Sequence, residues 1–168
     1  MAASVRVSTT ADLESLRAKL SSSAQHACRA LAAALTDAHP LRRLKFERLG
    51  CDPLDEQDTQ NLAEQIDQHA TYEVGVDAVE WLMGKHPGRE WELAPGAHGA
   101  GHDIVSTDGS VAAEIFAAVS PSNNDKLKKD VAKVSSFAGE HRYVFYRSPQ
   151  HSQRQQAIGS VVVVSLGM

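Results

Sequence analysis

Glu114 stands in the middle of the run Val111-Ala112-Ala113-Glu114-Ile115-Phe116-Ala117-Ala118-Val119, where every neighbour is small or apolar. The run reads as a strand buried on both sides, and strand alternation puts Glu114 and Phe116 on one face and Ala113, Ile115 and Ala117 on the other. An ionised carboxylate in such surroundings is costly unless a metal, a cation or water reaches it. Asp103 opens the preceding short strand, His102 to Ser106, and the tight turn Thr107-Asp108-Gly109-Ser110 folds that strand back on the next. The two carboxylates therefore approach one another at a sheet end. Such a pair suits Mg²⁺ or Mn²⁺, hard cations that prefer oxygen ligands and keep several waters for a phosphate to replace. The plainer alternative for Asp103 is a strand-opening residue whose carboxylate accepts local backbone hydrogen bonds.

Other chemistry-bearing residues cluster nearby. His98 and His102 flank the loop Gly96-Ala97-His98-Gly99-Ala100-Gly101 and are the residue type of a metal ligand or general base. No further His or Cys stands at ligand spacing, which argues against zinc. The loop precedes a strand, whereas a dinucleotide fingerprint follows one, so it reads as a flexible rim beside the acids. Lys126, Lys128, Lys129 and Lys133, with Asp125 and Asp130, form either a functional basic face or an ordinary solvated one laced by ion pairs. Arg42, Arg43, Lys45 and Arg48 offer a phosphate-contacting patch or a surface turn. Walker, GxSxG, HExxH and EF-hand patterns are missing from the sequence.

The elements that position these residues follow from periodicity. Leu13, Leu16, Leu20, Ala24, Ala27, Leu31 and Leu35 alternate three and four apart, one stripe of a helix started at Thr9 or Thr10 and stopped by His39-Pro40. A second long helix is expected from Asp52-Pro53 through Leu82, with Gly75 as a point of kinking or division. Short strands follow at 90–93, 102–106 and 111–119, then a helix capped by Pro121-Ser122-Asn123 and running to about Phe137. A strand at 143–146, a short helix at 150–157 and a buried strand at 161–164 complete the chain. The expected fold is α/β, a mixed sheet in the order α-β-β-β-α-β-α-β flanked by helices. Residues 1–50 form an N-terminal helical extension and 51–168 the α/β core, within one domain overall.

From about Thr71 to Val164 this order resembles the restriction-endonuclease-like, or PD-(D/E)xK, nuclease superfamily. Gly101-His102-Asp103 and, with ten residues between the acids, Glu114-Ile115-Phe116 are similar to its motif. The resemblance implies a divalent-metal-dependent nuclease acting on nucleic acid, DNA first, with Mg²⁺ or Mn²⁺ held by Asp103 and Glu114. It implies a lysine two residues after the glutamate, but that position is Phe116, which neither donates a hydrogen bond nor carries charge. Lys126, in the first turn of the following helix, is the expected replacement, with Lys129 one step behind. A further glutamate on the first core helix is implied, Glu73 before Glu80. The competing expectation is a degenerate member of the same fold that serves as a binding or assembly module.

With 17 basic and 21 acidic residues, the net charge of -4 argues against a protein that coats nucleic acid through a global positive field. Two cysteines, Cys28 and Cys51, are too few for a disulfide framework and read as reduced thiols. No apolar run approaches a membrane span, and no leader pattern opens the chain, so a cytoplasmic location is expected. The Leu13 to Leu35 stripe offers either a homodimer seam or a face for the chain's own sheet.

Overall fold

The computed structural model describes residues 4–95 and 101–168, so the loop 96–100, including His98, lies outside the described residues. The chain runs through β1 (Val5–Val7), α1 (Thr10–Ala34), α2 (Pro40–Phe46), β2 (Gly50–Cys51), β3 (Thr59–Gln60) and α3 (Leu62–Lys85). It continues as β4 (Trp91–Leu93), β5 (Ile104–Ser106), β6 (Val111–Ala117), α4 (Lys126–Ser135), β7 (His141–Arg147), β8 (Arg154–Ile158) and β9 (Val161–Ser165). The α/β class and mixed sheet are as expected. Among the described residues the main sheet has seven strands in the order β1-β4-β5-β6-β7-β9-β8. Its first half is an antiparallel meander, whereas β6, β7 and β9 run parallel, with α4 crossing between β6 and β7. No helix among the described residues is long and apolar enough to cross a membrane.

Helices cover both faces. Leu13, Leu16 and Leu20 of α1 and Val74, Val76, Val79 and Leu82 of α3 pack on Trp91, Leu93, Ile104, Ala113, Ile115 and Phe145. On the other face Val134 of α4 packs on Ala112, Phe116, Val144, Tyr146, Val161 and Val163. The N-terminal half of the leucine stripe is thus spent inside the chain rather than on a second copy. Residues 1–50 are not only helical: β1 pairs with β4 and extends the sheet. Thr9 starts α1 with a capping box, its hydroxyl accepting from the Asp12 amide while Asp12 accepts from the Thr9 amide.

Several expectations need correction. Asp52-Pro53 does not open a helix: the Asp52 carboxylate accepts from the Leu54 and Asp55 amides as a cap would, but the chain closes a turn there and goes on to β3. The helix begins instead at Leu62, capped by Asn61, which accepts from the Glu64 amide at 2.9 Å. Gly75 does not divide α3, which is continuous from Leu62 to Lys85. A Cβ there would stand 2.9 Å from Ile115 Cδ1 and 3.0 Å from Leu93 Cδ1, so glycine lets the helix lie close on the sheet. Residues 150–157 do not form a helix: 154–158 are edge strand β8, joined to β9 through Gly159-Ser160. Gly159, at φ 59°, supplies the positive dihedral of a two-residue hairpin. Arg42 to Arg48 falls largely in α2, where Arg43 pairs with Glu47 and Asp37.

Candidate functional site

The β5–β6 hairpin brings the two acids together. Asp108 locks its turn by accepting from Ser106 Oγ at 2.6 Å, the Ser110 amide at 3.0 Å and Ser110 Oγ at 2.7 Å, and Gly109 takes a φ of 70°. Ile104 is paired with Ala113 and both face the α1–α3 core, so the next position along the ladder sets Asp103 against Glu114 on the α4 side. Asp103 is 8% exposed and Glu114 1%. Asp103 Oδ2 accepts from the Ile115 amide at 3.0 Å, so the plain structural role is realised together with the convergence.

The α4 helix then lowers a charged face onto the pair. Lys126, Asp130, Lys133 and Phe137 follow at steps of four, three and four, the spacing of one helical side. Lys133 Nζ donates to Glu114 Oε2 at 2.7 Å, and His102 Nδ1 lies 2.6 Å from Glu114 Oε1. The His102 ring meets Phe137 edge to face at 5.3 Å. Lys126 does not reach Glu114; it donates to Asp130 Oδ1 at 2.9 Å, and its Nζ lies 5.8 Å from the centre of the Phe116 ring. Phe116 stacks on Tyr146 with ring centres 5.3 Å apart, filling with aromatic packing the strand position two residues after Glu114.

Electrostatics follow from this enclosure. Burial and then the Asp103 charge push the Glu114 carboxyl up to about 8, while Lys133 opposes both. Burial and the Lys133 ammonium hold His102 below the usual imidazole range. Both shifts favour the neutral groups at neutral pH, so the proton between Glu114 Oε1 and His102 Nδ1 belongs to the carboxyl. Burial also raises the Asp130 carboxyl, against Lys126 and with a smaller contribution from Asp103.

Glu73 is not brought to this cluster. It lies on the α1–α3 side, 3.5 Å from His69, in a cleft with Arg17, Asp77 and Arg147, and Glu80 pairs with Arg17 at 2.8 Å. Lys133 and Asp130 are the members of the site that motif reasoning passed over. The signal was present in their helical spacing from Lys126, but which member of that face meets Glu114 depends on how α4 sits on the sheet.

Among the described residues no group of three or more His, Cys, Asp or Glu side chains is arranged to hold a metal ion. A Mg²⁺ site commonly takes one or two carboxylates and completes its shell with water. Asp103 and Glu114 are the two carboxylates that could serve such a cation, and on the facing α4 the buried Asp130 Oδ2 has no hydrogen-bond partner among the described residues. Comparison with protein-family models, curated proteins and solved structures returned no significant match.

Proposed function

We propose that the chain is a divalent-metal-dependent nuclease of restriction-endonuclease-like fold, hydrolysing phosphodiester bonds of nucleic acid, with DNA as the substrate to test first. The observation that carries this reading is the convergence of Asp103, Glu114 and an α4 lysine, Lys133, at one buried point. The sequence α3, β4, β5, β6, α4, β7 supports it, being the helix, three strands, helix and strand of that fold. Lys133 supplies the ammonium group that Phe116 cannot, and it does so from the helix after the motif strand.

Asp103 and Glu114 would hold Mg²⁺ or Mn²⁺, which when bound neutralises phosphate charge and acidifies a coordinated water. The chain's own residues do the rest. Ile115 N–H orients the Asp103 carboxylate, and the His102 ring, held by Phe137, orients Glu114 from the other side. Lys133 is 37% exposed at its side chain, so its ammonium can face both Glu114 and an entering phosphate, where it stabilises the charge that builds on the phosphoryl oxygens. In the hydrolysis a water oxygen bonds to phosphorus as the bond to the leaving sugar oxygen breaks. Water loses one proton and the leaving oxygen gains one.

The test is cleavage of plasmid and single-stranded DNA with Mg²⁺ or Mn²⁺, beside an EDTA control and Glu114→Ala. Metal-dependent cleavage lost in the variant is expected; cleavage unchanged by Glu114→Ala removes the reading. A second reading, a catalytically degenerate binding or assembly module, draws on one observation: both Glu114 oxygens already have partners in Lys133 and His102. Absence of cleavage on any nucleic acid, with a stable complex formed all the same, favours that module.

A further inference from the structure

Asp130 and its partner Lys126 are the charged members of the α4 face whose chemistry the nuclease reading leaves unused. Asp130 is 4% exposed, and its side chain 6%, yet only Oδ1 has a partner, Lys126 Nζ at 2.9 Å. Oδ2 is buried with no hydrogen-bond partner among the described residues. A buried carboxylate oxygen left unsatisfied is costly, more so than a neutral group, and native proteins keep few of them without a reason such as an ion or a water. Its place in the fold supplies the reason. Asp130 lies between Lys126 and Lys133 on the helix side turned to β6, and the charges that act on it are those of Lys126, Asp103 and Lys133, the groups of the acid pair's own site.

We propose that Asp130 is a third carboxylate of the Asp103–Glu114 site, its Oδ2 accepting from a water of the hydrated divalent cation while Lys126 holds Oδ1. This assignment rests on the metal-dependent reading above. A water-bridged role agrees with the absence, among the described residues, of three side chains arranged to ligate a metal directly. A hydrated Mg²⁺ or Mn²⁺ retains waters that donate strongly, and an outer carboxylate fixes their orientation. Lys126 then acts as a competing cation, holding Oδ1 and drawing part of the Asp130 charge away from the site.

The test is calorimetric titration of the full chain with MnCl₂, paired with the rise in melting temperature that Mn²⁺ produces. Wild type, Asp130→Asn, Lys126→Gln and Glu114→Gln are compared. Asp130→Asn is expected to weaken Mn²⁺ about tenfold, in line with outer carboxylates at metal sites, and Glu114→Gln to abolish binding. Lys126→Gln leaves the carboxylate in place and frees its second oxygen, so it should bind Mn²⁺ more tightly than wild type. Wild-type affinity in Asp130→Asn overturns the assignment. Affinity equal to or below wild type in Lys126→Gln overturns it as well, which keeps the question decidable should the first variant not fold. Wild-type protein that binds no Mn²⁺ at millimolar concentration instead overturns the metal reading beneath it, a result distinct from either.

Discussion

At the residue scale, two lysines that look interchangeable in the sequence have separate duties. Lys126, Lys133 and Asp130 share one helical face, but Lys133 meets Glu114 at 2.7 Å while Lys126 meets Asp130 at 2.9 Å. Under the proposed chemistry the group that stabilises developing phosphoryl charge is the one beside Glu114. Lys133→Met is therefore expected to slow Mn²⁺-supported cleavage by about 100-fold, the loss typical of removing one donor to transition-state charge. Mn²⁺ binding should survive, since an opposing cation has gone. Lys126→Met should slow cleavage far less. Single-turnover cleavage beside calorimetry separates the two effects, and equal losses in the two variants would deny Lys133 its role. Phe116 explains the displacement: its ring is stacked on Tyr146 in the core beneath α4 and is 3% exposed, so a charged group at that position would have to be buried there.

At the scale of elements, α3 shows how one glycine differs from another. Gly75 faces the sheet, where an added Cβ would press on Ile115 and Leu93, whereas a Cβ at exposed Gly84 would meet nothing within 4 Å. Gly75→Val adds three carbons to that tight contact and is expected to cost about 2 kcal/mol. Gly84→Ala gains helix propensity and is expected to stabilise by up to about 1 kcal/mol, less near the helix end. Urea unfolding of both variants checks the pair, and a stabilised Gly75→Val would show that the contact is slack. The hairpin between β5 and β6 is the other element on which the site depends, because a one-residue slip in its register would turn Glu114 away from α4 and into the α1–α3 core.

For the whole molecule, two buried groups pull stability in opposite directions as pH changes. His86 is held below its usual range by burial first, then by His141, Arg89 and Lys85, against a weaker upward pull from Glu140. Arg89 Nη1 is 3.0 Å from His86 Nδ1, which makes that nitrogen the acceptor, and Nε2 then donates to Tyr143 Oη at 2.9 Å. A depressed folded value means that the unfolded chain binds the proton more readily. The His86 contribution is thus present above the unfolded value near 6.5 and is lost as pH falls below it. Glu114 has the opposite sign: its folded value, about 8, lies above the unfolded one, so its contribution is present below about 4.5 and lost as pH rises through 8. Melting curves of metal-free wild type and His86→Gln are expected to diverge with pH, the wild type losing its advantage between pH 7 and 5. For Glu114→Gln the wild type should lose ground between pH 5 and 9. Parallel profiles in either comparison would mean that the enclosure around that group is open to water.

The sequence alone determined the α/β class, the turn at Asp108-Gly109 and the convergence of Asp103 with Glu114. All three follow from short-range geometry: side chains alternate along a strand, and a tight hairpin fixes the register of its two arms. Periodicity also located α1, α4 and the parallel strands to within a few residues. Only tertiary structure decided that Lys133 rather than Lys126 meets Glu114, because that depends on where α4 rests over β6 and on Phe116 and Tyr146 filling the space beneath it. Only tertiary structure separated Glu73 from the acids, by placing α3 on the opposite face of the sheet. The same holds for β8, whose residues are exposed throughout and carry no apolar period; its pairing with β9 gives it a strand's backbone. Local pattern is set by covalent geometry that every residue carries, whereas docking is set by packing summed over distant parts of the chain, which no single segment contains.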